Sequence, residues 1–362
     1  MYSRSSFLIL TSGALLKRKV TLHNIARKLN LSATTISLAM RDHPRISVRT
    51  KERVRQALKE MKYEPDQVAR ALVTGRSNLI GVIVPNTNDP YYAEVFRGIE
   101  DAARAANYHV LLSNGSYDLE RYADHVKDMI GLRVGGLIAA PPFMHEKPKL
   151  PRFWHELKSY PFHVVLVNRQ LDPPIFHQVA ADYTNGVRMA VESLASLGHR
   201  RVAYISGEPA LLPIRQRLMA FRRFAKKHGF ERDPALFERC PLTAAGGYEA
   251  CRRLWVSSKK KPSAIVAFSD TVATGALRYL HEQHLDIPGE VSVIGFDGIA
   301  TGDFTYVRLS TISTPMYEIG KQAFELLVGS IQNDPGLPQS MILPVRLVLR
   351  ESVGPAPAST KS

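Results

Sequence analysis

Two cysteines, Cys240 and Cys251, are all that a chain of 362 residues contains. They are too few for a disulfide framework and too far apart for a paired-cysteine metal knuckle, which points to reduced, partly buried thiols in a cytoplasmic protein. Long apolar runs are missing as well: no segment approaches the ~20 apolar residues of a membrane span. The apolar stretch within MYSRSSFLILTSGALL at 1–16 is broken by Thr11, Ser12 and Gly13 and has no A-x-A-like cleavage site. It reads as a disordered or mis-started extension rather than an export signal. No GxSxG elbow, Walker loop or GxGxxG stands between a strand and a helix, so no enzyme chemistry is visible. His281 and His284 sit at i and i+3 without a cysteine or a further carboxylate cluster, so neither a metal nor a cofactor is expected.

Acidic residues are scarce at one end. Residues 1–76 hold 16 Lys/Arg against 5 Asp/Glu, a charge of +11 out of +15 for the whole chain, which leaves +4 for the remaining 286 residues. A small basic module therefore precedes a large, nearly balanced one, and its partner is a polyanion: nucleic acid first, an anionic membrane surface second. At 45% hydrophobic and 8% aromatic the chain has the material for a large folded core, which excludes a disordered protein.

Within the basic module, Thr21 is a good N-cap for LHNIARKL at 22–29, whose Leu22, Ile25, Ala26 and Leu29 recur at helical spacing. Asn30, Leu31 and Ser32 break that helix, and Ser32 caps a second from Ala33 to about Met40, with Ile36, Ala39 and Met40 inside and Ala33, Thr34, Ser37 and Leu38 outside. A third helix, about 48–61, turns Val54, Leu58 and Met61 inward. Three short helices with a tight turn between the first two make an all-α helix-turn-helix headpiece. Pro65 closes it, and DQVARALVTGRS at 66–77 is too short for a stable isolated helix, so it is expected to order on binding.

Beyond Asn78 the rhythm alternates strand and helix. The strands are read at 79–84, 108–113, 135–140, 162–168, 201–207, 264–270 and 291–297, as continuous apolar runs of the kind buried in parallel sheets. The helices are read at 91–106, 119–130, 183–198, 215–229, 248–255, 271–283 and 317–331. This is an α/β core of two doubly wound parallel-sheet subdomains, with a ligand cleft facing the C-terminal ends of the strands. The expected divisions are an extension at 1–19, a headpiece at 20–64, a hinge at 65–76, a core at 77–352 and a disordered Pro/Ala/Ser-rich tail at 353–362. Within the core, about 77–181 and 315–341 would form one subdomain, and about 182–313 and 342–352 the other.

Seven stretches in order, TLHNIARKLNLSATTIS, YEPDQVARAL, LIGVIVPNTNDPYYAEVFRGIE, RVGGLI, LGHRRVAYISG, PGEVSVIGFDG and LSTIS, resemble the lactose- and purine-repressor (LacI/GalR) family of bacterial transcription regulators over residues 20–352. The resemblance implies a periplasmic-binding-protein-like core and a cytoplasmic homodimer that binds a near-palindromic double-stranded operator under the control of a small effector. On the residues alone, N-terminal side chains of a recognition helix meet base edges while hydroxyls and amides at its start suit phosphates. Ala33, Thr34 and Leu38 match the family's base-reading positions, and Ser32, Thr35 and Ser37 suit phosphates; Thr21 and Arg45 complete the candidates. Leu38 cannot donate to guanine but can pack on a thymine methyl, so a half-site without a required guanine at that pair is expected. The resemblance also makes Val68, Ala69, Arg70 and Leu72 part of a hinge helix, with Leu72 wedging into the minor groove.

Arg217 matches the family's effector arginine and Asp297 its effector carboxylate, a pair able to hold sugar hydroxyls or a polar base bidentately. Tyr91 and Tyr92 open the first core helix, Asn168 and Arg169 end a strand, and Asp270 follows another, so all five join the candidate cleft. Leu211 and Pro213 replace a polar pair of the purine-responsive members, which favours a sugar over a purine. Two other readings stay open: a regulator responding to a nucleobase or nucleoside, and an exported sugar-binding protein of a transport system, against which residues 20–77 argue.

Overall fold

The computed structural model describes residues 20–63, 77–141, 157–160, 162–208, 212–333 and 336–358. It divides into two compact units, Met1–Arg76 and Ser77–Ser362.

In the first unit, α1 (Leu22–Leu29), α2 (Ala33–Met40) and α3 (Val48–Glu60) enclose a core centred on Ile25, Ile36 and Val54. Each helix starts on a hydroxyl cap. The Thr21 hydroxyl accepts the Asn24 amide at 3.3 Å while the Asn24 side chain accepts the Thr21 amide at 2.8 Å, so two of the helix's orphan donors are satisfied reciprocally. Ser32 and Ser47 accept the amides of Thr35 and Thr50. Asn30 ends α1 in the left-handed region at φ 52°, which turns the chain directly into α2. One inward assignment fails: Met40 is 37% exposed, because α2 ends there and the chain turns away through Arg41 and Asp42. Ile36 and Ala39 carry the inner face, Ala57 supplies the most buried later position of α3, and Leu38, on the outer side, is half-buried.

The second unit holds two six-stranded sheets. The first contains β1 (Leu79–Val84), β2 (His109–Asn114), β3 (Gly136–Ala139), β4 (His163–Val167), β5 (His177–Ala181) and, from late in the chain, β11 (Ser340–Leu343). Its strand order is β11-β5-β4-β3-β1-β2, parallel throughout. The second contains β6 (Val202–Ser206), β7 (Phe237–Arg239), β8 (Ala264–Ala267), β9 (Ser292–Asp297), β10 (Ser310–Ser313) and β12 (Arg346–Val348), in the order β12-β10-β9-β8-β6-β7, with only the β10–β12 pair antiparallel. Every residue of β6 and β9 is buried, as strands covered on both faces require. The helices between them are α4 (Pro90–Ala105), α5 (Leu119–Gly131), α6 (Tyr183–Ser196), α7 (Leu212–Lys227), α8 (Ala244–Ser257), α9 (Asp270–Glu282) and α10 (Met316–Gln332).

The chain passes between the sheets three times, after Ala181, after Ser313 and between Leu343 and Arg346. Helices α4 and α10 pack with almost no separation. A Cβ on Gly98 would lie 2.0 Å from the Tyr317 carbonyl oxygen, and one on Gly320 would lie 1.9 Å from that of Val95, so both positions require glycine. The tail also departs from expectation. Residues 353–358 are tied down instead of disordered: the Gly354 amide donates to Ser292 Oγ at 3.1 Å, its carbonyl accepts from His199 Nε2 at 3.0 Å, and the Ala356 amide donates to Leu197 O at 2.8 Å. Buried His199 and Ser292 need those partners, and a Pro/Ala-rich segment supplies backbone groups for them as well as any other.

Candidate functional site

The start of α2 presents a polar edge. Thr34 is exposed; the Ser32 and Thr35 hydroxyls bond each other at 2.8 Å; Ser37 accepts from the Arg41 guanidinium at 2.7 Å. Thr21 and Arg45 are exposed, while Ala33 and Leu38 are half-covered by the headpiece itself. The acids nearby are already engaged: Asp42 pairs with Lys51 at 3.1 Å and Arg55 at 3.3 Å, and Glu60 with Lys28 at 2.7 Å. Arg27, Arg41, Arg45, Arg49 and Lys59 remain exposed, a surface suited to phosphates. Val68, Ala69, Arg70 and Leu72 lie outside the described residues.

The second unit has a cleft between its sheets. Its lining residues follow the C-terminal ends of parallel strands: Asp89 after β1, Tyr117 after β2, Asn168 and Arg169 after β4, Leu242 after β7, Phe268 and Ser269 after β8, and Asp297 at the end of β9. Tyr91 and Tyr92 of α4, Pro213, Ile214 and Arg217 of α7 and Thr271 of α9 complete it. Its free volume is about 50 Å³, against roughly 300–1,000 Å³ for sites that hold drug-sized ligands, so the cleft is narrow in this conformation.

Arg217 is 3% exposed and held by three rings, with its guanidinium carbon 4.3 Å from the centre of Tyr183, 4.5 Å from Phe268 and 4.2 Å from Phe296. It donates to the Phe268 carbonyl at 2.9 Å and faces Asp297 Oδ1 at 3.6 Å, too far for a hydrogen bond. Burial holds the Asp297 carboxyl well above the usual carboxylate range, with the Arg217 cation opposing that shift. Asp297 and Asn168 are both in the left-handed region, at φ 111° and 56°. Such strain persists where surrounding contacts over-determine it. At Asp297, Asp270 does so: its Oδ2 accepts the amides of Gly298 at 2.7 Å and Ile299 at 2.9 Å, and its Oδ1 accepts the Thr311 hydroxyl at 2.6 Å.

That arrangement corrects the expectation for Asp270. Fully buried and with both oxygens committed to the turn after β9, its side chain is not among the cleft-lining groups. The other six expected residues, Tyr91, Tyr92, Asn168, Arg169, Arg217 and Asp297, do meet there. Sequence reasoning missed Asp89 and Tyr117, which reach the cleft from separate loops. Asp89 had a legible signal, since an aspartate before Pro90 is an N-cap, and its Oδ1 accepts the Tyr91 amide at 3.0 Å. Four buried polar atoms of the cleft lack a hydrogen-bond partner: Asn168 Oδ1, Arg169 Nε, Arg217 Nε and Asp297 Oδ1. Orphaned buried polar groups cost about 1–3 kcal/mol each, so their clustering in one cleft marks a place built to bind a polar molecule.

Residues 21–66 match the family described as bacterial regulatory proteins, lacI family, and residues 191–353 match the periplasmic binding protein-like domain. The chain belongs to the lacI family. As a member it is a DNA-binding transcription regulator and not an enzyme. Catabolite control protein A of Priestia megaterium is 28% identical over 336 residues, covering 92% of this chain and 99% of its own. The crystal structure of a ribose operon repressor, described as putative, from Burkholderia thailandensis is 30% identical, with a TM-score of 0.65 over 75% of this chain and 99% of its own. The lac repressor dimer bound to operator and an anti-inducer shares the fold, with a TM-score of 0.83 at 23% identity over 92% of this chain and 99% of its own. Among the described residues no helix is long and apolar enough to cross a membrane, and no group of three His, Cys, Asp or Glu side chains is placed to hold a metal ion. Cys240 and Cys251 are both free and buried.

Proposed function

We propose that this lacI-family protein is a cytoplasmic, homodimeric repressor that binds a near-palindromic operator and is controlled by a small carbohydrate held in the core cleft. The observation that carries the effector half is the cleft's set of unpartnered polar atoms around Arg217 and Asp297, 3.6 Å apart. A hydroxyl pair can bridge that gap, accepting from the guanidinium and donating to the carboxylate. Tyr91 and Tyr92 line the cleft as aromatic partners for the apolar side of a sugar. The relative named for a ribose operon supports the same class.

The DNA half rests on the hydroxyl-capped, basic headpiece. Thr34, Ala33 and Leu38 read bases; Thr21, Ser32, Thr35, Ser37 and Arg45 hold phosphates. Residues 65–76 form a hinge in which Val68, Ala69, Arg70 and Leu72 reach the minor groove. Effector binding shifts the balance between open and closed clefts, and so the disposition of the two headpieces. A shift from 1:99 to 99:1 needs a differential affinity of about 5.5 kcal/mol between the two states. The test is a titration of operator-bound protein with candidate sugars followed by fluorescence anisotropy. A sugar that changes operator affinity in wild type but not in Arg217→Ala supports the reading; an unaltered response in the variant removes Arg217 from the site.

A further inference from the structure

Of the two arginines that line the cleft, only Arg217 faces a carboxylate. Arg169 is 3% exposed, and its guanidinium donates to two backbone carbonyls, Asn168 O at 2.6 Å and Pro141 O, while Nε has no partner. No ion pair of Arg169 exists among the described residues. Of the two lining acids, Asp297 stands opposite Arg217, and Asp89 accepts the Tyr91 amide as the cap of α4. A buried charge without a counter-charge is strongly disfavoured, so a fold that keeps one in a ligand cleft needs it there for an anion.

The backbone around the cleft points the same way. Asp89 and Tyr91 open α4, Pro213 and Ile214 lie in the first turn of α7, and Ser269 and Thr271 open α9, so three helix N-termini converge on one cavity. Each adds positive potential at its end. Burial also raises the pKa of both Asp89 and Asp297, which weakens the negative side of the balance further.

We infer that the effector is an anionic sugar: a small polyol bearing one carboxylate or phosphate group, with that group on Arg169 and the hydroxyls between Arg217 and Asp297. This rests on the reading of the cleft as a carbohydrate site and narrows it. The guanidinium's free Nε–H meets the anionic oxygens in the positive potential of the helix ends, and the Asn168 side chain, which donates to the Tyr92 hydroxyl at 3.1 Å, keeps its Oδ1 as an acceptor for a sugar hydroxyl.

The experiment uses the full-length protein in thermal-shift and calorimetric titrations with matched sets: D-glucose, D-gluconate, D-glucuronate and D-glucose 6-phosphate; D-ribose, D-ribonate and D-ribose 5-phosphate. The expected result is at least ten-fold tighter binding of one anionic member than of its neutral parent, with the acid and phosphate arms identifying which group fits. Arg169→Met should abolish that preference and Arg169→Lys retain most of it; a preference that survives in the methionine variant overturns the assignment to Arg169. If the methionine variant does not fold, the lysine variant and the matched wild-type comparison still decide the matter. A neutral sugar that binds as tightly as its acid or phosphate overturns the anionic inference and leaves the carbohydrate reading standing. Binding by no member of either set overturns the carbohydrate reading and this inference with it.

Discussion

Asp270→Asn isolates the strut that holds the turn carrying Asp297 in place. Burial pushes the Asp270 carboxyl from its ordinary 3.8 up to about 6, with the Thr311 hydroxyl and the Ile299 and Gly298 amides opposing the shift. A folded-state value above the unfolded one means that folding favours the protonated form. The stabilisation is complete below about pH 3.8 and is lost as pH rises through about 6. A displacement of about 2 units corresponds to about 3 kcal/mol over the whole range, of which about 2 kcal/mol falls between pH 4 and pH 7. Asparagine keeps the geometry, with Oδ1 accepting the two amides and Nδ2 donating to the Thr311 hydroxyl, but it does not titrate. Urea unfolding followed by tryptophan fluorescence at pH 4, 5, 6 and 7 gives the comparison. The unfolding free energy of wild type, measured relative to Asp270→Asn, should fall by about 2 kcal/mol across that interval. Asp270→Ala, which orphans two amides and a hydroxyl, should instead be less stable than wild type by several kcal/mol. Parallel pH profiles for wild type and the asparagine variant would refute the reasoning.

Gly320→Ala forces a Cβ to 1.9 Å from the Val95 carbonyl and should destabilise the core by roughly 1–3 kcal/mol or more, while Gly329→Ala on the same helix, with nothing within 4 Å, should be neutral or stabilising by up to about 1 kcal/mol. Equal unfolding midpoints for the two would contradict the close packing of α4 on α10. Ile36→Ala empties a fully buried position in the headpiece and should cost about 2–5 kcal/mol there, read as lost operator binding with sugar binding by the core unchanged. Leu38→Arg should create a preference for guanine at the base pair facing that position, measured by competition between otherwise identical operators; an unchanged preference removes residue 38 from base reading.

The sequence carried the two sheets and the headpiece because their signals are local: continuous apolar runs for the parallel strands, 3.6-residue spacing and hydroxyl caps for the helices. Five strands, β5, β7, β10, β11 and β12, escaped notice, and two of them show opposite reasons. β5 contains His177 and Gln178, polar residues that look solvated, yet the Gln178 amide is buried by bonds at 2.9 Å to Leu171 N, Leu171 O and Ser340 Oγ, partners up to 162 positions away. β7 has only three residues, too few to show a period. The strand read at 264–270 ends at Ala267, since Ser269 caps α9 and Asp270 already belongs to the helix. The same local misreading placed Asp270 in the cleft. Six of the expected cleft residues were legible as a helix start, as a strand end or as matches to the family, whereas Tyr117, which reaches the cleft from the loop after β2, has no sequence signature of its own.

Selection of binding sites from random double-stranded DNA by the full-length protein decides whether the headpiece and the cleft act together as an effector-controlled repressor. The expected result is an enriched inverted repeat whose two halves require no guanine at the pair facing Leu38, bound with an affinity that changes when the cognate sugar is added and does not change in Arg217→Ala. Enrichment of no motif, or of a single asymmetric site unaffected by any ligand of the core, would contradict it.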